Sequence, residues 1–448
     1  MWQKIKNIGK EKNVSSLLTN MVIAFLGLVS FMLLTRQLPK EQFGDWVLFI
    51  TLATFVDLLR FGLTRTSVVR LLAGADDESF KRFLGSSYKI NLLLLALIVL
   101  VCWSVAGMQY GLGIEMNNGY LLFFRWYPVL ALFNLGWNTA SALFQAEQNF
   151  HRMMLVRLAN VGLFVVFLIA NGLFFKLGLL EIVWVNLGVN LISSCWCSLK
   201  KWDGLSYLKF AESATEKELI NFGKFSMGTL IGSSLLKSAD TLIIGLSPVL
   251  GSAGIAMYAI PLKLTDLLGI PLRSFTMTAY PRMSRKSLAG DFEGVRKLFY
   301  TYSGAVTLLF VPVAIGCFVF AEYLILFLGG DEYRESLPLL TLVFRVFTVY
   351  TLLLPVDRFT GVLLDSINRP KLNLYKVIFM TLSNIVIDIV AVFVFESLVA
   401  VAVGTVFFTL LGIVLGFYFL RKEIQISSRQ ILPEGLFFFK NIKTYIGS

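Results

Sequence analysis

The chain has 448 residues, of which 56% are hydrophobic and only 15% charged, with 40 Phe. A mean hydropathy of +0.74 excludes a soluble protein whose whole surface faces water. A formal charge of +12 would suit a nucleic-acid binder, but its placement along the chain excludes that reading too.

Apolar runs of about 20 residues recur, each long enough to cross a hydrocarbon core about 30 Å thick. Twelve are predicted: 15–35, 44–62, 87–108, 119–142, 155–176, 180–199, 225–246, 253–272, 299–321, 336–356, 373–395 and 398–420. The N-terminus is basic and then apolar, like a signal peptide. No small-residue cleavage site follows, so it reads as a retained first span. Met1–Asn13, with Trp2, Ile5 and Ile8 among lysines, suits a helix lying along the membrane surface. The first span carries no charge and ends in the outer turn Arg36-Gln37-Leu38-Pro39-Lys40-Glu41-Gln42-Phe43-Gly44. The second contains Asp57 and Arg60, three residues apart and able to pair on one helix face. Asp76, Asp77 and Glu78 beside Lys81 and Arg82 read as a solvated connection.

Span four carries Arg125 in Leu122-Phe123-Phe124-Arg125, with no acidic residue within a helical turn. The only histidine, His151, follows without companions for catalysis or metal binding. Asn160, Asn171, Asn186 and Asn190 on spans five and six are placed to bond across helices. A polar connection between Leu199 and Phe225 then divides the spans six and six. The expected organisation is an N-terminal bundle at 1–205, a cytoplasmic connection at 206–222 and a C-terminal bundle at 223–448.

The second half echoes the first. Asp266-Leu267-Leu268 repeats Asp57-Leu58-Leu59, and Phe344-Arg345 repeats Phe124-Arg125. The Asp365–Lys371 junction stands where Gln145–His151 stands in the first half. Three echoes in order imply an internal duplication. With six spans per half, both halves share one orientation.

Sorting the 40 Lys and Arg by loop leaves 31 on the side of the N-terminus, five inside spans and only Arg36, Lys40, Lys176 and Arg334 opposite. That asymmetry predicts cytoplasmic N- and C-termini. Cys102, Cys195, Cys197 and Cys317 all fall inside predicted spans, with neither a zinc nor a disulfide pattern.

Nine charges lie well inside the spans: Asp57, Arg60, Arg125, Lys237, Asp240, Lys263, Asp266, Arg345 and Asp388. Each costs about 2.5–3.5 kcal/mol to insert, which points to a water-filled cavity. Lys237/Asp240 and Lys263/Asp266 share the three-residue spacing of Asp57/Arg60. Arg125 and Arg345 have no local acid, and a planar guanidinium suits a phosphate or similar anion. Snorkelling to the headgroups, or a cross-helix partner such as Asp388, are the rival readings. No Gly-rich phosphate loop, paired His ligands or nucleophile elbow occurs, and the outer loops are short. A glycan polymerase or ligase is therefore not expected, nor is a cofactor or metal.

The Leu38–Gly44 turn, the Asp57–Arg70 region and the Gln145–Arg152 and Asp365–Lys371 junctions resemble the polysaccharide or O-antigen flippases of the multidrug/oligosaccharidyl-lipid/polysaccharide exporter superfamily. The resemblance covers the whole chain by layout. It implies an all-α polytopic membrane protein with twelve transmembrane helices in two pseudo-symmetric six-helix bundles, arranged as a V around a central cavity. It implies translocation of an undecaprenyl-pyrophosphate-linked oligosaccharide across the bacterial inner membrane by alternating access. The implied partners are that lipid-linked glycan, membrane lipids and other polysaccharide assembly proteins. On this reading Arg125, Arg345, Arg60, Lys237 and Lys263 neutralise the pyrophosphate. Asp57, Asp240, Asp266 and Asp388 line the cavity, holding the basic groups or carrying coupling protons. A cation-coupled multidrug exporter of the same superfamily is the alternative, although its first span often carries an acidic residue that is absent here. Peptidoglycan-precursor flippases resemble the chain as well but usually have fourteen spans.

Overall fold

The computed structural model describes residues 12–72 and 76–441. The expected surface helix at Met1–Asn13 therefore lies almost wholly outside the described residues, as does Lys443. Among the described residues all regular structure is helical.

Two compact units divide the chain, Met1–Ser234 and Leu235–Ser448. The first holds α1 (Lys12–Gln37), α2 (Lys40–Leu71), α3 (Asp77–Leu112), α4 (Asn118–Phe133), α5 (Leu135–Ala146), α6 (Phe150–Ala170) and α7 (Leu179–Leu199). Helix α8 (Ser213–Leu246) starts in the first unit and ends in the second. The second unit continues with α9 (Gly251–Leu288), α10 (Phe292–Val319), α11 (Ala321–Gly329), α12 (Leu337–Ser366), α13 (Pro370–Phe393), α14 (Leu398–Ile424) and α15 (Ile431–Lys440).

Nine helices among the described residues are long and apolar enough to cross a membrane. The other three expected spans fall on α1, on the pair α4–α5 and on α8. Only Met21–Gln37 of α1 counts as an apolar stretch. Span four is interrupted at Asn134, between helices of 16 and 12 residues. The first half of α8 is polar, reading Ser-Ala-Thr-Glu-Lys-Glu.

Within the first unit α1 packs along α6, and α2 packs along α4. The turn after α1 is a packed corner: Phe43 is fully buried and meets Phe31 edge-on at 5.1 Å. Gln37 closes the same end by donating to the Leu168 carbonyl at 2.7 Å and accepting from Asn171 at 2.9 Å. The connection after α7 is strapped down rather than loose. Lys89 pairs with Glu216 at 2.7 Å, and Ser67 donates to the Leu219 carbonyl at 2.9 Å. Its Glu212 also pairs across to Arg82 at 3.3 Å, a partner that composition alone cannot show.

The duplication has a backbone signature. Among the described residues the non-glycine positions with positive φ are Gln148, Lys176, Lys201, Asn368, Glu396 and Gln425. They fall into pairs: Gln148 with Asn368 and Lys176 with Glu396, both 220 residues apart, and Lys201 with Gln425. The residue after each member of the first pair closes the same reverse turn. Asn149 N–H donates to Phe144 O, and Arg369 N–H to Leu364 O, both at 2.8 Å. Left-handed backbone is costly for residues with a Cβ, so its recurrence at matching places reflects a shared local fold.

Candidate functional site

In the first unit the break at Asn134 organises a buried polar cluster. Arg60 on α2 is only 1% exposed. Its NH1 donates to the Ala131 carbonyl at 2.7 Å, an oxygen in the last turn of α4. Asp57 lies 3.7 Å away and accepts from Tyr127 Oη at 3.0 Å and Asn134 Nδ2 at 2.7 Å. The guanidinium also stands 4.3 Å from the Phe61 ring centroid. The expected Asp57/Arg60 contact is present. It sits inside the helix bundle, however, so Arg60 holds α2 against α4 and is not open to a ligand.

The second unit has its own cluster, built differently. Asn384 on α13 donates to Asp240 on α8 at 2.9 Å and to Asp388 one turn along α13 at 3.0 Å. Tyr258 on α9 donates to the other Asp240 oxygen. Asp388, which shares that amide, is fully buried. Asp388 Oδ1 and Asn384 Oδ1 receive no donor. Two buried carboxylates sharing one amide cannot both stay charged without a compensating proton or cation.

A second buried pair joins α12 to α13. Lys376 Nζ reaches Asp357 Oδ1 at 2.7 Å, the Asp357 carbonyl at 2.7 Å and Thr360 Oγ1 at 2.9 Å. Two of these are hydrogen bonds, and the approach to Oδ1 pairs the charges.

The remaining expected residues are more open. Lys237 does not pair with Asp240 as the three-residue spacing suggested. It crosses from α8 to α9 and lies 3.8 Å from Asp266, with its side chain 62% exposed. Lys263 is within electrostatic reach of both Asp266 and Lys237. The structure thus gathers Lys237, Lys263 and Asp266 and turns Asp240 inward. Arg125 is exposed; its backbone oxygen accepts from Trp103 Nε1 at 3.4 Å, and its side chain makes no ion pair among the described residues. Arg345 donates through Nε to the Phe318 carbonyl at 3.4 Å and sits 5.1 Å from that ring centroid. Asp388 is not its partner.

Sequence reasoning missed Tyr127, Asn134, Tyr258, Asn384 and the Asp357–Lys376 pair. Lys376 stands near a span's start, where a loop-edge lysine is ordinary, and its acid lies 19 residues away on another helix. The polar residues Asn134 and Asn384, each inside an apolar run, were the signal available. No group of three or more His, Cys, Asp and Glu side chains that could hold a metal occurs among the described residues.

A family model described as "Polysaccharide biosynthesis protein" matches residues 33–338. A probable low-salt glycan biosynthesis flippase of Haloferax volcanii is 22% identical over 416 residues, covering 90% of this chain and 81% of that protein. Among solved structures, an inward-facing multidrug resistance transporter of the MATE family superposes with a TM-score of 0.74 at 16% identity, covering 91% of this chain and 98% of that one. The lipid II flippase MurJ in an inward closed conformation also gives 0.74, at 13% identity, covering 94% and 90%. At these identities the structural likeness establishes a shared fold.

Proposed function

Since the chain belongs to the polysaccharide biosynthesis protein family and has the fold of the multidrug/oligosaccharidyl-lipid/polysaccharide exporter superfamily, we propose that it is a flippase for a lipid-linked glycan. The substrate is an undecaprenyl-pyrophosphate-linked oligosaccharide, an O-antigen or related repeat unit, carried across the bacterial inner membrane. The observation that carries this reading is the family match across residues 33–338. The relatives named as glycan and lipid II flippases support it. The strongly one-sided distribution of Lys and Arg supports twelve spans with both termini cytoplasmic.

Transport needs two chemistries, neutralisation of the pyrophosphate and coupling to an energy source. Lys237 and Lys263 are the basic groups on α8 and α9 best placed for the first, with Asp266 fixing their geometry. Arg125 on α4 and Arg345 on α12 are further basic groups, one in each unit. Arg60, sealed against Ala131, positions α2 instead. The buried Asp240–Asn384–Asp388 cluster supplies the second, because its charge balance requires a proton or monovalent cation that can be exchanged as the site opens. The multidrug-exporter alternative has the shared fold in its favour and nothing specific in the side chains.

The test is genetic. Deletion should leave lipid-linked repeat units accumulating on the cytoplasmic face. Restoration with Asp388→Asn should give normal protein levels but export reduced by at least tenfold. Unchanged glycan lipids in the deletion strain would overturn the flippase reading, and full export by the variant would remove the coupling role.

A further inference from the structure

Helix α15 is apolar on every side. Of its ten residues only Glu434 and Lys440 are charged. Ile431 and Gly435 are buried on the side that faces protein, whereas Leu432, Leu436, Phe437 and Phe439 are exposed. A helix that is hydrophobic all round belongs where both of its sides are out of water.

Two hydrogen bonds and a backbone contact fix where this helix sits. Arg296 NH1 donates to the Ile424 carbonyl at 3.2 Å, and the Ser427 N–H donates to Tyr300 Oη at 2.8 Å. One turn farther along α10, a Cβ on Gly304 would strike the Ile431 carbonyl and the Gly435 backbone. Residues 296, 300 and 304 follow one another turn by turn, so the chain leaving α14 climbs α10. Residues 298–321 carry no charge. The docking point at Gly304 lies about 12 Å along α10 from Arg296, inside that uncharged run.

The occupant of the exposed face follows from that level. Helix α10 is long and apolar enough to cross a membrane, and it exposes Leu309 and Val313 farther along. The apolar face of α15 therefore stands beside a span, at a height where lipid is the solvent. Ten residues make about 15 Å of helix, half of a hydrocarbon core, so α15 is too short to cross. Its ends are basic: Arg429 precedes it and Lys440 closes it, both exposed. Such side chains reach headgroups while their stems stay in the apolar layer.

We propose that α15 is a one-leaflet membrane anchor, its exposed face covered by acyl chains and its basic ends set against anionic phospholipid headgroups. The leaflet is the one bordered by Arg296 and Lys297. Apolar burial and attraction to anionic lipid then act on the same short helix. The anchor does not rest on the flippase reading.

The experiment uses the full-length protein in phospholipid vesicles, with its four native cysteines replaced. Leu436→Cys and Phe437→Cys each carry a fluorophore; both positions are exposed, so the labels leave the Gly304–Gly435 contact intact. Brominated phosphatidylcholine should quench both labels at least twofold, and aqueous iodide neither. Gln425→Cys, in the exposed turn before α15, should show the reverse. Iodide quenching of both α15 labels would overturn the anchor. Protection from both quenchers would assign the face to a protein contact and overturn it as well. At equal mole fraction, brominated phosphatidylglycerol should quench at least twofold more than brominated phosphatidylcholine. Arg429→Gln combined with Lys440→Gln should remove that difference. Equal quenching by the two lipids in the protein with both basic residues would overturn the headgroup contact.

Discussion

At the residue scale, the arrangement of buried charges decides what each can do. Lys376 and Asp357 illustrate the structural case, because the ammonium is ion-paired and hydrogen-bonded to two neighbouring oxygens and neither side chain is open. Lys376→Met leaves Asp357 buried without its partner and should destabilise the protein by about 3–5 kcal/mol. The double variant Asp357→Leu with Lys376→Met should recover most of that loss. Thermal melts of the purified single and double variants check this, and equal melting for all three would deny the pair a role. Local pairs were legible in the sequence where both partners share a helix face, as with Asp57 and Arg60. They were misread where a cross-helix partner won, as when Asp240 turned to Tyr258 and Asn384 and left Lys237 to Asp266. Helical periodicity describes one helix at a time and says nothing about its neighbour's register.

At the element scale, caps and close approaches fix where helices begin and how they dock. Asp291 caps α10 by accepting from the Gly294 N–H at 2.7 Å and pairs with Lys286 at 2.6 Å. That pairing and the cap hold its carboxyl below the usual carboxylate range. A depressed native value means the contribution is complete above the unfolded carboxylate value of about 3.9 and is lost as pH falls through the lower native value. Asp291→Asn retains a cap acceptor but abolishes the charge. The stability gap between wild type and variant should therefore be constant from pH 7 to about pH 5 and close only in more acidic solution. A gap that closes near neutrality would refute this. Helix α15 shows what composition concealed. It docks on α10 where Gly304 and Gly435 meet, and a Cβ at either would strike the other's backbone. The sequence offers two glycines 131 residues apart with no shared pattern, so the contact was illegible until both helices were in place.

At the scale of the whole molecule, the internal duplication constrains topology independently of any hydropathy threshold. Lys176 and Glu396 lie in the connections after α6 and α13 in left-handed backbone, 220 residues apart. If each repeat contains an even number of spans, both residues must face the same side of the membrane. An odd number would place them on opposite sides. The sequence motifs already carried the repeat through Arg125 and Arg345, but the turn geometry locates it more sharply, because backbone conformation survives the drift that erodes side-chain identity. A length criterion does not count the expected spans at α4–α5 and α8, because of the break at Asn134 and the polar start of α8. The deciding measurement replaces Cys102, Cys195, Cys197 and Cys317, all free thiols, and introduces single cysteines at Lys176, Glu396, Gln148 and Asn368. In intact cells a membrane-impermeant maleimide should label the first two and spare the last two until the membrane is permeabilised. Opposite accessibility of Lys176→Cys and Glu396→Cys would break the parallel orientation of the halves. With it would go the proposed arrangement of six spans per half.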